Sequence, residues 1–431
     1  DVERSRGLGD VYKRQDPIRT TRSSVENKDN KMLEVNLQAY LDYAKSFGKH
    51  DLKGLLGYSQ LYNQYRILGA SRKDLPLNNS LGEINAGDVT TQATEGNKVE
   101  YALRSAFARV NYTFDNRYLL EANLRYDGTS RFPKDNRFGA FPSFSAGWRM
   151  SEESFFTASW IDNLKFRASW GQLGNQEIGD YAFYNTYMFG QDYNFGNMLY
   201  PGISINDKMA NSIITWEKTD QIDVGVDADA FGGKLSFTGD FFIKNTRDIL
   251  LELPIPEIVG VKPPMQNAGK VRNTGMEMQI SHNNQINDFK YYATFNFSYV
   301  HNEITDLSGG DTPGRSVGDP INNIYGYVCE GIFRDQADID AHPTQIWGAK
   351  PGDLKYKDLN NDNKIDENDR QSLGTYFPKI NFGLRLGFEY KNFDFSALMQ
   401  GAGMVDAIVK AEINKAFYNG CLLYTSDAAD D

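Results

Sequence analysis

The chain has 431 residues, 46 Lys plus Arg against 57 Asp plus Glu, and a net charge of -11. It is polar on average and holds no run of about 18 apolar residues, which excludes a helical membrane protein, while its acidity argues against nucleic acid as a partner. Two cysteines cannot make a disulfide scaffold, and 13% aromatics with 40% apolar residues argue against disorder.

The chain opens without the apolar stretch of a leader. VYKRQ at residues 11–15 and the end from Cys421 resemble translated sequencing-adaptor sequence. Residues 1–15 and 419–431 are therefore expected to be extraneous tails, and 16–418 the folded part. From there the dominant signal is period-2 alternation. Weak strands are expected near 33–43 and 52–58. Ala106, Ala108, Val110, Tyr112 and Phe114 alternate with Arg109, Asn111 and Thr113, then turn at residues 115–117. Tyr118, Leu120, Ala122, Leu124 and Tyr126 answer against Glu121, Asn123 and Arg125. Weaker strands follow near 140–149 and 163–171.

Ile222, Val224, Val226 and Ala228 alternate with Gln221, Asp223 and Asp227, and Gly232 with Gly233 supplies a tight turn. Leu235, Phe237, Phe241 and Ile243 return. Met276, Met278 and Ile280 alternate with Glu277 and Gln279, and residues 291–299 follow. Ile380, Phe382, Leu384, Leu386, Phe388 and Tyr390 alternate with Asn381, Arg385 and Glu389, turn at 391–392, and return through Phe393, Phe395, Ala397 and Met399. That makes about twelve strands, many near the ~10 residues a tilted membrane strand needs.

The connections alternate in length. Short ones are expected near 44–51, 115–117, 150–162, 230–233, 283–289 and 391–392. Long ones are expected near 59–103, 127–139, 172–218, 246–273 and 301–378. Outer-membrane barrels show this asymmetry, and aromatics beside the short turns fit an interfacial girdle. The fold class expected is all-β, an antiparallel transmembrane β-barrel whose polar faces line a wet lumen. The alternative is a soluble sandwich whose apolar faces form its core.

One loop carries sharper chemistry. Residues 358–369 read DLNNDNKIDEND. Asp358, Asn360, Asp362, Asp366 and Asp369 put oxygens at positions 1, 3, 5, 9 and 12 of an EF-hand-type loop, and Lys364 at position 7 offers its carbonyl. Ile365 matches the apolar anchor. Asn363 replaces the usual Gly, and Asp369 the usual Glu. Structural Ca²⁺ is expected here. The four histidines (His50, His282, His301, His342) show no metal spacing, and no catalytic motif emerges, so no enzyme is expected. Tyr181, Tyr184, Tyr187, Tyr193 and Phe195 can stack on sugar rings or pack their loop against the barrel mouth, and packing is the preferred reading.

Residues 116–156, 164–179 (LKFRASWGQLGNQEIG), 216–225 (WEKTDQIDVG), 273–278 (NTGMEM) and the DLNNDNKID loop together resemble the SusC/RagA family of TonB-dependent outer-membrane transporters of Bacteroidetes. The likeness runs over roughly residues 30–418. It implies a barrel of about 22 strands with an N-terminal plug. It also implies a bacterial outer-membrane location, TonB as the energy source and a SusD-like surface lipoprotein at the mouth. The cargo would be an oligosaccharide or peptide nutrient. With about twelve strands and no plug or TonB box, the chain is expected to be a fragment of such an importer, not competent alone. The alternative function is an extracellular, calcium-stabilised β-rich binding or adhesion protein.

Overall fold

Alternating side chains commit a segment to a pleated strand, and short turns commit neighbours to antiparallel pairing. The computed structural model describes residues 23–75, 82–196, 198–253, 255–310 and 315–409. The expected tails, 1–15 and 419–431, lie outside the described residues. Twelve strands form one antiparallel sheet in chain order. They are β1 (Ser24–Phe47), β2 (His50–Lys73), β3 (Ala93–Phe114), β4 (Tyr118–Thr129), β5 (Phe138–Arg149) and β6 (Ile161–Asn175), followed by β7 (Glu217–Ala230), β8 (Leu235–Arg247), β9 (Lys270–Ile286), β10 (Phe289–Asp306), β11 (Ile380–Tyr390) and β12 (Phe393–Gly403). Every alternating run in the sequence falls on one of them.

Several boundaries differ from expectation. The long connection placed at 59–103 is mostly strand: β2 continues to Lys73 and β3 begins at Ala93. These added stretches carry Arg66, Arg72, Glu95 and Lys98, so apolar alternation fades while the backbone ladder, which needs only N–H and C=O groups, continues. For the same reason the connections placed at 44–51 and 283–289 shrink to residues 48–49 and 287–288. The tight turns use residues that tolerate positive φ, with Asp115 at 50°, Asn116 at 59° and Asn287 at 53°. Gly232 and Gly233, at 71° and 73°, are clamped by Asp162 Oδ2, which accepts both their N–H groups at 2.7 and 2.9 Å.

The chain divides into two compact units. Among the described residues one holds 23–34, 63–75, 82–100 and 407–409, and is held by polar contacts such as Lys28–Glu95 (2.8 Å) and Gln64 Nε2 to Glu100 (2.9 Å). The other holds Val35–Tyr62 and Tyr101–Asp406 and contains part of every strand.

Within this second unit, register lines the apolar residues into rows. Leu120, Ala146, Ala168, Val224, Phe241, Met276 and Tyr299 are successive cross-strand partners from β4 to β10. Among the described residues nothing covers this row: Leu120, Val224, Phe241 and Met276 stand 47–53% exposed. A water-soluble sandwich would have buried them against a second layer, because exposed apolar area on this scale is costly in water. The clusters of buried apolar residues sit elsewhere, at the ends of the strands that face the long connections. One joins Phe132, Phe141, Ile178, Ile214 and Trp216, and the other Val271, Ile304 and Leu307.

Aromatic rings gather at the opposite, short-turn ends. Phe47 stacks on His50 (5.1 Å), Phe114 on Tyr118 (6.3 Å) and Trp160 on Phe231 (5.6 Å). Tyr118 and Trp148 both donate to Glu153 Oε1, at 2.6 and 3.1 Å, and these hydrogen bonds hold the Glu153 carboxyl below its ordinary range. An apolar ring with one polar handle suits a membrane–water interface.

Candidate functional site: the polar sheet face and its long connections

The face opposite the apolar rows is built from the alternate residues of the same strands. On β3 and β4 a relay runs from Arg109 Nε to Asn123 Oδ1 (2.7 Å), then from Asn123 Nδ2 to Glu121 Oε1 (2.7 Å), with Asn111 donating to the other Glu121 oxygen. On β6 to β8, Arg167 bridges two strands. Its Nε lies 2.8 Å from Asp227 and its Nη2 2.9 Å from Asp240. Gly225 lies between them in register, and a Cβ there would meet Asp240 Oδ1 at 2.1 Å and Arg167 Nη2 at 2.8 Å. The missing side chain is what lets the guanidinium reach across. Nearer the long connections, Asp220 accepts from Gln172 (2.8 Å) and Arg247 (3.0 Å).

Beyond this network a cavity of about 730 Å³ opens along β8 to β12, lined by Asp240, Glu277, Gln279, Asn296, Asn381 and Gln400 among others. Arg385, expected on the polar face, sits 5.1 Å over the Tyr292 ring. Such a face can hydrate and hydrogen-bond a polar solute along its length. Its charged groups mostly satisfy one another, which suits a wall.

The long connections begin on a small core of their own. Trp216, just before β7, contacts Phe132 and Phe141 edge-on at 5.4 and 5.2 Å and donates its indole N–H to the Arg137 carbonyl at 3.2 Å. Phe141 reaches that position over Gly174, where a Cβ would come within 2.2 Å of the ring. Alternation does not reveal this cluster, since its members come from separate connections and strand ends. The lone signal is Trp216 itself, a large aromatic at the edge of a polar segment. In the following loop Ala182 and Phe183 pack on the cluster. Tyr181, Tyr184, Tyr187, Tyr193 and Phe195 are all exposed, contrary to the expectation that they pack the loop down.

The expected calcium loop folds around its own side chains. Asp358 accepts the N–H groups of Asn361 (2.7 Å) and Asn363 (2.9 Å), Asn360 accepts that of Asp362 (2.9 Å), and Asp362 that of Lys364 (2.8 Å). Asp366 caps the 3₁₀ turn Glu367–Asp369. Asn363 takes φ 61°, the left-handed conformation a Gly would supply. Ile365 is fully buried, as an anchor should be. Asp369 is fully buried too; burial acts to raise its carboxyl, but the N–H groups of Asp366 and Leu359, both at 2.8 Å, and of Asn360 outweigh it and hold the group below its ordinary range. Among the described residues no three Asp, Glu, His or Cys side chains converge as a metal set. In this conformation the oxygens face backbone amides rather than one another.

A family model described as "TonB dependent receptor-like, beta-barrel" matches residues 4–397. The chain is similar to TonB-dependent receptor P3 of Formosa agariphila, 33% identical over 84% of this chain and 38% of that protein. It is similar to TonB-dependent receptor SusC of Bacteroides thetaiotaomicron, 31% identical over 86% of this chain and 38% of that one. Among solved structures it resembles the RagAB peptide transporter, with a TM-score of 0.75, 25% identity, and coverage of 88% of this chain and 42% of that chain. The chain thus spans about two fifths of the length of the relatives it matches. A twelve-stranded sheet with one uncovered apolar face, one polar face and aromatics at its short-turn ends agrees with those matches, and the chain belongs to the TonB-dependent receptor β-barrel family, of SusC/RagA type, whose members are outer-membrane proteins.

Proposed function

We propose that this chain supplies wall strands and extracellular loops to a TonB-energised importer that moves an oligosaccharide or peptide nutrient across the outer membrane. One observation carries the reading: a single sheet whose uncovered face is apolar and whose other face is a hydrogen-bonding wall. Lipid satisfies the first face and a hydrated passage the second. The relatives' names, TonB-dependent receptor SusC and the RagAB peptide transporter, support TonB-linked import, and the partner proposed at the mouth is a SusD-like surface lipoprotein. Deleting the coding gene is expected to abolish growth on one polymer or oligopeptide class while growth on its monomers persists. Unchanged growth on every such nutrient would overturn the reading.

We also propose that residues 358–369 bind structural Ca²⁺. Asp358, Asn360, Asp362, Asp366, Asp369 and the Lys364 carbonyl would hold it, the carboxylates exchanging amide partners for the ion. Added Ca²⁺ is expected to raise the melting temperature, and Asp358→Ala with Asp362→Ala to abolish the rise. A parent protein indifferent to Ca²⁺ and to chelator would remove the site.

A further inference from the structure

The outward face of β6 to β10 changes character toward the long connections. Two residues beyond the uncovered row, Trp170, Ile222, Ile243, Thr274 and His301 are successive cross-strand partners, and the face is still mostly apolar. Two residues further on, the row is Gln172, Asp220, Asn245, Arg272 and Glu303. The next is Gly174, Lys218, Arg247, Lys270 and Asp306, where a register shift at Lys270 brings Asp306 round to this face. Lys218, Arg247 and Lys270 thus stand side by side on three neighbouring strands, in a chain whose net charge is -11.

Like charges set opposite each other across a ladder repel. Carboxylates relieve part of this. Asp220 Oδ2 accepts from Arg247 Nε at 3.0 Å, and Asp306 lies 3.0 Å from Lys270 Nζ. Arg272 donates from Nε to Asn245 Oδ1 at 3.0 Å, with Glu303 3.7 Å from its Nη1. Glu217, next to Lys218, has the opposite parity and accepts from the Asn175 amide and the Leu250 N–H. Among the described residues Lys218 itself has no ion pair. On these two rows Lys218, Arg247, Lys270 and Arg272 meet only Asp220, Glu303 and Asp306, which leaves one positive charge over. The charged heads are open to an anion: the Arg247, Arg272 and Lys270 side chains are 40%, 50% and 57% exposed.

Depth selects the anion. Strands rise about 3.3 Å per residue and tilt about 40° in such a barrel, so the six residues from Val224 to Lys218 climb roughly 15 Å. An apolar band about 25 Å tall reaches about 12 Å to either side of its middle. Val224 lies midway along β7, which puts the cationic row past the outer edge of the band, at the depth of lipid headgroups. The anion at that depth is phosphate, and a lipid whose acyl chains lie on the Ile222 and Val224 rows carries its own headgroup to the cations. The row points away from the lumen, so a solute in the passage does not meet it.

We propose that Lys218, Arg247 and Lys270, with Arg272 in the row beneath, bind the phosphate of an outer-leaflet lipid headgroup. The test is lipid binding to the full chain in detergent micelles, read by native mass spectrometry. The probes are phosphorylated lipid A, the same lipid A with its phosphates removed, and inorganic phosphate. The phosphorylated lipid is expected to bind roughly tenfold or more tighter than the dephosphorylated one, and added salt to shrink that preference. Lys218→Gln with Lys270→Gln is expected to abolish the preference, and Lys218→Arg with Lys270→Arg to keep it. Lys165→Gln with Lys244→Gln removes the same charge from the polar face of β6 and β8 and is expected to leave the preference unchanged. If the first pair lowers the melting temperature, Lys218→Gln alone, which breaks no ion pair among the described residues, carries the comparison. Equal affinity for the two lipids, a preference that survives the first glutamine pair or falls equally with the polar-face pair, or inorganic phosphate matching the affinity of the lipid would each overturn the site. Binding in micelles needs neither cargo nor TonB, so a failed uptake phenotype and a failed headgroup site are separable results.

Discussion

Val224→Arg is expected to destabilise the chain in a bilayer by about 2–4 kcal/mol, the cost of a cation on the lipid face near the midplane. Val224 lies in the middle of β7, in the uncovered row between Ala168 and Phe241. Thr238→Arg on the opposite face, between Asp227 and Gln279 in register, is expected to cost less than about 1 kcal/mol, because lumen substitutions are hydrated and this one gains an acidic neighbour. Reversible urea unfolding in lipid vesicles measures both. The pair also separates membrane from water as the solvent of the apolar face. On a half-exposed site in water, Val224→Arg would fall within about 0.5 kcal/mol of the parent. Equal, small effects at the two positions would therefore refute the lipid-facing assignment.

The second large effect is expected at Trp216. Truncation to Ala removes a nearly fully buried indole, two edge-on aromatic contacts and a hydrogen bond to Arg137. Phe or Trp to Ala in a core costs about 3–5 kcal/mol, and the local cluster has few other members to share it. The loss is expected to stay local, since of the buried cluster only Phe141 belongs to the sheet ladder and its backbone pairing opposite Arg125 does not involve the indole. Limited proteolysis should cut the connection between β6 and β7 much faster in Trp216→Ala, and to an intermediate degree in Trp216→Phe, with the sheet intact by circular dichroism. Cleavage at the parent rate would show that the loop is anchored by something other than this cluster.

The alternation of single strands was legible because it is a local property. From Ala106 to Phe114 and from Ile380 to Tyr390 each side chain declares its face by parity alone, and the register then carries those faces across neighbouring strands. The tight turns were legible too, because Asp115, Asn116, Gly232 and Gly233 are residue types that accept positive φ. In residues 358–369 the buried anchor Ile365 and the positive φ of Asn363 follow the expected loop, whereas the capture of nearby amides by its side-chain oxygens was not expected. Strand length was not legible: β2 and β3 run far past their apolar residues, since hydrogen-bond pairing is indifferent to what the side chains are.

The sequence by itself thus determined which residues of each strand share the apolar face and which the polar one, a consequence of a two-residue period, while the uncovered state of the apolar face came from the tertiary structure. Only the tertiary structure decided which distant residues meet. Arg167 reaches Asp240 because Gly225 leaves room in the strand between them. Trp216 closes on Phe132 because two separate connections meet beside the strand ends, and Tyr327, Trp347 and Tyr356 share one corner because small ladders fold a single long connection back on itself. Period and propensity act over a few residues, whereas these meetings depend on register accumulated over many strands. The aromatic abundance of a polar, acidic chain accordingly has two destinations, the lipid-facing rows with their girdle and the loop clusters, and the sequence alone indicated the first.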